Sequence, residues 1–395
     1  MIDRSLAHRL LQCVTMAVRP LRVEELAEIL ALDFTVATPE LNEDSRSENP
    51  EEAVLSICSS LIVVAGSGQS RVIQFSHFSV KEFLTSRRLA DFLGEDSIGD
   101  EPAHTTLAQA CLGTLLRLDG SLGNLQVDHR FPFARYASQH LVEHAQFGKV
   151  SSQIEDGLQR LFDSTKPYFV TWIRLYNMDD HWTQFGNSLA ASGSPLYYAS
   201  LFGFRELAAH IIKDHPEQVS AKGGCNHYPL VAALYKGHFD VAELLLQHGA
   251  SINVTGHGDQ TLLQAASVDG RSDIARWLLE NGADTHSQRD DSAPIHLATA
   301  NGHLEVIKIL LEHRVNIDSV DTDGTTPLHL ASSSGNAEIV RLLLEEGANT
   351  SVVDKDGQTS LTLAKTTEVV RLLEHGASLD EEGRSTEGGI ENVKV

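Results

Sequence analysis

Nowhere in the 395-residue chain do 18 apolar residues follow one another, and the most apolar stretch near the start, Leu10 to Val18, is broken by Gln12 and Thr15. A membrane-spanning helix needs about 20 such residues, so the sequence predicts neither a span nor a secretory leader. Basic residues are scarce: 31 Lys and Arg face 54 Asp and Glu, a formal net charge of −23. That surplus repels nucleic acid and anionic lipid, and the densest basic dipeptide, Arg87-Arg88, stands nearly alone. No nucleic acid and no membrane are therefore expected as partners. Four cysteines, Cys13, Cys58, Cys111 and Cys225, lie far apart without a C-x-x-C pair, which fits neither a disulfide framework nor a zinc finger. Free thiols and a cytoplasmic setting are the expectation. With 42% hydrophobic and 22% charged residues the composition excludes wholesale disorder, and the length points to about two or three domains.

Catalytic signatures are also missing. There is no G-x-x-x-x-G-K-[ST] loop, and the nearest Gly-rich stretch, Gly66 to Ser70, has no lysine to hold phosphates. No G-x-S-x-G occurs, and Cys225 near His227 has no third group to orient the histidine. The sequence thus predicts a chain that is not an enzyme and needs no cofactor.

What is present is a repeat. A four-residue pattern recurs as Ser194-Pro195-Leu196-Tyr197, Tyr228-Pro229-Leu230-Val231, Thr261-Leu262-Leu263-Gln264, Ala293-Pro294-Ile295-His296, Thr326-Pro327-Leu328-His329 and Thr359-Ser360-Leu361-Thr362, with steps of 34, 33, 32, 33 and 33 residues. So tight a period marks stacked units. Proline in the second place suits the first turn of a helix, where its missing N–H costs nothing. Gly237, Gly270, Gly302 and Gly335 supply turns between paired helices. The second helix carries an apolar face, as in Val306, Ile309, Leu310 and Val340, Leu343, Leu344, and ends at Gly249, Gly282, Gly347 and Gly376. Such a face is buried only by the neighbouring unit.

Thr326-Pro327-Leu328-His329-Leu330-Ala331, followed by Gly335 and Leu342-Leu343-Leu344-Glu345-Glu346-Gly347-Ala348, resembles an ankyrin repeat. The resemblance covers six units over 194–380. It implies that the Thr and His of the motif hydrogen-bond within and between units, so that His296 and His329 are structural. Two departures stand out. Arg314 occupies the terminating glycine position of the fourth unit, where a left-handed backbone costs a non-glycine residue roughly 1 kcal/mol. The last unit is three residues short and reads as a degenerate cap, and 381–395 is too polar to pack and reads as a disordered tail.

In the first half, Leu6, Leu10, Cys13, Val14 and Ala17 form a helical stripe ending before Pro20. Helices follow at Val23 to Leu32 and Glu51 to Ser60, with a loop at Thr38 to Pro50 between them. Strands at Leu61 to Ala65 and Val72 to Ser76 then close the order of a winged helix. Ser79 to Glu82 predicts a capping box opening a helix to Leu93, with Val80, Phe83, Leu84 and Ala90 facing inward. Further helices are expected at Leu107 to Leu118, Ala134 to His144, Ile154 to Phe162 and Tyr168 to Tyr176. The domain scheme is a winged helix at 1–93, a linker at 94–102, a helical spacer at 103–182, a linker at 183–193 and the repeats at 194–380. The fold class is mainly α: winged helix and helical spacer, then an ankyrin-repeat α-solenoid with β-hairpin fingers.

The phrase Phe75 to Leu84, with Arg19 to Leu26 upstream and Tyr136-Ala137-Ser138-Gln139-His140 downstream, is similar to the part of fungal NACHT-ankyrin proteins that follows their NTPase module. This resemblance covers most of 1–180 and implies an NLR-like architecture of nucleotide switch, winged helix and repeat sensor. With no phosphate loop in the sequence, nucleotide binding does not carry over, and the chain resembles the rear portion of such a protein. Winged helices of this kind are sometimes labelled after a lipid-anchor deacylase, a label that concerns the domain.

Two constellations remain. His140-Leu141-Val142-Glu143-His144 matches H-x-x-E-H, which in zinc hydrolases holds the metal and activates water. Phe133, Ala137 and Leu141 equally make the segment an ordinary amphipathic helix, so the expectation is no metal. The fingers of the repeats carry Asp259, Gln260, Arg289, Asp290, Asp291, Asp321, Asp323, Asp354 and Asp356. Asp before Gly is ordinary turn chemistry, and the same residues would form an acidic ridge for another protein. The resulting expectation is a protein-binding, regulatory module. Its alternatives are a zinc hydrolase at His140 to His144 and an inhibitory decoy fragment docking on a full-length NTPase homologue. The third predicted helix has Glu51 and Glu52 but no basic residue, which removes DNA as a target. Nothing in the sequence sets an oligomeric state.

Overall fold

A computed structural model describes residues 4–36, 38–42, 46–67, 71–86, 98–118, 120, 124–176, 193–224, 228–255, 260–285 and 293–375. Contacts divide the chain into two compact units, Met1–His248 and Gly249–Val395.

The first unit opens with α1 (Arg4–Met16), α2 (Val23–Leu30), the short hairpin β1 (Leu32–Asp33) and β2 (Glu40–Leu41), then α3 (Pro50–Cys58) and the hairpin β3 (Ile62–Ala65) and β4 (Val72–Phe75). Leu21 to Val23 runs along β4: the Ile73 N–H donates to Leu21 O at 2.8 Å and the Val23 N–H to Arg71 O at 3.2 Å. That isolated bridge, Arg22 against Val72, ties the start of α2 to the hairpin of the winged helix. The β1–β2 hairpin was not legible in sequence. Helix α2 ends two residues before Leu32, which pairs with Leu41 in that hairpin, and Asp33 holds the turn beyond by accepting the Thr35 N–H at 2.9 Å.

The helix after the wing, α4 (Phe78–Leu84), departs from expectation at its start. Its cap is His77, in extended backbone, whose Nδ1 accepts the Ser79 N–H at 3.2 Å. The cap thus lies two residues before Ser79. Phe83, expected inside, is 58% exposed, and Phe78 beside it 70%. Ala90 and Leu93 lie outside the described residues.

Helix α5 (Asp100–Leu115) begins within the stretch read as a linker, capped by Gly99. Then come α6 (Asn124–Arg130), α7 (Ala134–Ala145), α8 (Val150–Gln153), α9 (Glu155–Phe162) and α10 (Tyr168–Tyr176). Helix α5 packs on α1 and α7, burying Cys13 and Cys111, whose thiols burial pushes far from ionisation, Cys13 to about 12. The winged helix and the spacer therefore share a core. Two buried carboxylates of α2 show how it is held. Burial works to raise Glu25, but hydrogen bonds from Arg19 at 2.7 and 2.9 Å and from the Arg22 N–H at 2.7 Å outweigh it and hold the carboxyl low. Glu28 accepts the Phe133 N–H at 2.8 Å, with the Arg117 guanidinium 3.6 Å away, and burial dominates, raising its pKa to about 7. Gly113 serves close approach: a Cβ there would stand 2.4 Å from the Pro39 carbonyl oxygen.

The first two repeats complete this unit: α11 (Pro195–Phe202) and α12 (Arg205–Asp214), a 3-10 turn at Pro216–Ser220, then α13 (Pro229–Lys236) and α14 (Phe239–Gln247). In the second unit α15 (Leu262–Asp269) pairs with α16 (Ser272–Glu280), α17 (Pro294–Ala300) with α18 (Leu304–Glu312), and α19 (Pro327–Ser334) with α20 (Ala337–Glu345). Thr261 and Thr326 cap their helices by accepting the N–H three residues on. Arg314 has φ +58°, among the described residues the one non-glycine with positive φ. In the last unit 361–363 form only turns before a helix at 367–375, so the degenerate copy has lost its first helix. Residues 381–395 lie outside the described residues, as does the 183–193 linker except for Gly193.

Candidate protein-interaction surface

Of the finger residues singled out in the sequence, Asp259, Arg289, Asp290 and Asp291 lie outside the described residues. Gln260 is half-buried at the foot of its finger, next to the bridge between Thr255 and Thr261. The remaining four split into two kinds. Asp321 Oδ1 accepts the N–H groups of Asp323 at 2.9 Å and Thr325 at 2.8 Å. Asp354 Oδ1 accepts those of Asp356 at 3.0 Å and Gln358 at 2.8 Å. These two carboxylates build the turns. Asp323 and Asp356 are exposed, at matching places on neighbouring fingers, which the Lys355 N–H joins by donating to Asp323 O at 2.9 Å. Val320 and Val353, also one period apart, are 57% and 55% exposed. The edge so formed alternates apolar and acidic side chains on a backbone stiffened by turn hydrogen bonds.

The motif histidines hold the units together. His329 Nδ1 lies 2.7 Å from Thr326 Oγ1 and accepts the Thr326 N–H at 3.2 Å, while Nε2 donates to Gln358 O of the next finger at 3.2 Å. His296 makes the same forward bond, Nε2 to Thr325 O at 3.0 Å. Ala293 stands where Thr326 stands, however, so His296 Nδ1 is buried without a partner; burial lowers this pKa. Sequence reading missed a second clasp. His303 donates backward from Nε2 to Val268 O at 2.8 Å, crossing so close to Gly270 that a Cβ there would lie 2.6 Å from its ring. The recurring Gly-His pairs at 237–238 and 302–303 were the available signal.

The H-x-x-E-H segment sits on α7 and does not form the arrangement a zinc site needs. His140 Nδ1 lies 3.4 Å from Glu143 Oε2 at the surface. His144 is fully buried with both nitrogens engaged, Nε2 with Tyr136 Oη at 2.9 Å and Nδ1 with His104 Nδ1 at 2.8 Å. Tyr136 Oη in turn accepts the Val18 N–H at 3.1 Å. Burial, helped by the neighbouring His104 and His140, pulls the His144 pKa down to about 3. A neutral imidazole thus joins α7 to α5 and to the turn after α1. Among the described residues no three His, Cys, Asp or Glu side chains gather in a way that could hold a metal ion, and no helix is long and apolar enough to cross a membrane.

The family model for ankyrin repeats matches three overlapping stretches, 196–290, 262–354 and 295–383. The chain carries ankyrin repeats. The model described as the winged helix domain of GPI inositol-deacylase matches 2–93, ahead of the ankyrin repeats. The azaphilone pigments biosynthesis cluster protein L of Monascus ruber is 33% identical over 260 residues, which cover 60% of this chain and 54% of that protein, so the chain spans about half the length of this relative. A solved ankyrin repeat domain from Acinetobacter baumannii AYE is 30% identical, covering 46% of this chain and 97% of its own, with a TM-score of 0.42. The ankyrin repeats make this an interaction module, built on a fold of the non-catalytic kind.

Proposed function

We propose that the chain is the sensor part of an NLR-like, NACHT-ankyrin signalling protein, working without catalysis in the cytoplasm and binding another protein through its ankyrin fingers. The observation that carries this reading is the pairing of Asp323 and Asp356, exposed at equivalent positions on adjacent fingers beside Val320 and Val353. A basic partner with apolar side chains at matching spacing complements that edge, and affinity spread over several units suits a rigid repeat surface. A winged helix of the deacylase type ahead of the repeats, and a relative named for a fungal biosynthesis cluster, fit a NACHT-associated role.

The test is charge reversal in the full chain. Asp323→Lys with Asp356→Lys should reduce capture of the partner from extracts of the source cells by about tenfold while the melting temperature stays put. A parallel loss of stability and capture would instead assign the aspartates to the fold. One observation favours the decoy reading as well: Phe78 and Phe83 on α4 are exposed on the winged helix, two apolar anchors for an NTPase homologue. Phe78→Ser with Phe83→Ser should abolish that docking and leave finger-mediated capture intact.

A further inference from the structure

The first unit contains a cleft of about 740 Å³ bounded by the β1–β2 hairpin, α9, the start of α11, α12 and the 3-10 turn. Its volume is that of a ligand pocket, which runs roughly 300–1,000 Å³. Phe162, Leu207 and Ile211 are buried in its wall. So are two polar side chains, Thr38 and Gln218, each nine-tenths buried. The Gln218 carboxamide oxygen accepts the Leu196 N–H at 3.0 Å, which leaves its NH2 group without a hydrogen-bond partner among the described residues. The Thr38 hydroxyl likewise has none. Both groups line the cleft and keep a hydrogen bond to spare, which an acceptor that enters it can take up.

The rim sets the charge of that visitor. Glu40, Asp156 and Asp214 are exposed around the opening. Asp163 also lines it, though its carboxylate already accepts the Thr165 N–H and hydroxyl at 2.8 and 2.6 Å. Against these stand Arg160, His210 within 3.4 Å of Asp214, and His215 within 3.3 Å of Glu217. Carboxylates outnumber cations, so the cleft favours a positive group near its mouth and an oxygen acceptor at its wall. A bare cation or polyamine offers no acceptor for the Gln218 NH2, and a second copy of a chain of formal charge −23 is repelled. A peptide supplies all three features: a carbonyl for Gln218 and Thr38, an arginine or lysine for the rim, and an apolar side chain for Phe162 and Ile211.

We propose that this cleft is a second binding site, which takes an extended segment of another protein carrying a basic residue next to an apolar one. It lies within the first unit and does not rest on the reading given for the ankyrin fingers. The experiment is fluorescence anisotropy on the full chain with a labelled, end-capped octapeptide of alternating arginine and leucine, set against a glutamate–leucine peptide and against spermidine as competitor. The arginine peptide should bind saturably and more weakly as salt is raised, the glutamate peptide should not bind, and spermidine should compete poorly. Asp156→Asn with Asp214→Asn should weaken binding about tenfold. The isosteric Thr38→Val should weaken it about threefold with no drop in melting temperature, since the hydroxyl it removes makes no bond in the fold. Absence of saturable binding overturns the proposal, as does competition by spermidine as strong as by unlabelled peptide, or binding that these variants leave unchanged. Loss of peptide on Asp323→Lys with Asp356→Lys instead would place it on the fingers, overturning the cleft and leaving the fingers' own role standing.

Discussion

Residues 4–248 and 249–375 are both assembled from short helices, yet their hydrogen bonds reach over different distances along the chain. In the second unit the bonds between neighbours span one period: 29 residues from His296 to Thr325 and from His329 to Gln358, 31 from Asn349 to Asp318 and 35 from His303 to Val268. In the first, the joints between winged helix and spacer are single and long: 105 residues from Phe133 to Glu28, 110 from Arg22 to Pro132 and 118 from Val18 to Tyr136. A periodic joint is shared by several copies, so each is replaceable. A unique joint has no copy, and the first unit should be the more sensitive to a single substitution.

The sharpest way to break that contrast is His144→Ala. Removing a buried ring and both of its hydrogen bonds should cost about 3 kcal/mol, seen by hydrogen exchange as lost protection in 4–248 and little change in 262–345. Equal loss in both would mean that the two units unfold together. The same residue gives a pH dependence. Its folded pKa, near 3, lies below the ordinary value of 6.5, so its contribution to stability is fully present above about pH 6.5 and is lost as pH falls toward 3. Imidazole NMR should find His144 neutral at pH 5, and a protonated ring there would contradict the buried relay.

A smaller loss is expected at Gly113. Alanine in a helix interior normally stabilises by roughly 1 kcal/mol relative to glycine, but here its Cβ would press on the Pro39 carbonyl. The net result should be destabilisation of about 1–2 kcal/mol by urea denaturation. In the second unit two substitutions should raise stability. Ala293→Thr supplies the missing helix cap and a partner for His296 Nδ1, worth about 1 kcal/mol. Arg314→Gly relieves the φ of +58° and should add a few tenths to 1 kcal/mol. A melting temperature lowered by either would show that the repeat pattern misjudges these positions.

The same contrast explains how much was legible in the sequence. Thr326 and His329, and the strained backbone at Arg314, follow from a local rule applied at a known period, and the structure places them accordingly. The winged-helix order was legible from alternating and helical patterns. Its joints to the spacer were not, because nothing in the residues around Glu28 says that a buried carboxylate will meet an amide 105 positions away. Phe83 carries the spacing of an inward residue and is exposed, since periodicity marks an apolar face without naming what covers it. At the fingers, Asp-x-Asp-Gly reads as one acidic cluster, while backbone geometry assigns the first aspartate to the turn and leaves the second exposed.

The bare nitrogen of His296 has a mechanical consequence. An array of like copies comes apart at its weakest seam, and the copy that begins at Ala293 closes with half a latch where the copy that begins at Thr326 closes with a whole one. The lost half lies inside the copy, since the bond to the next one is kept, so under heat or tension the first turn at Ala293 should open before the one at Thr326 and give a protease or a chaperone its entry.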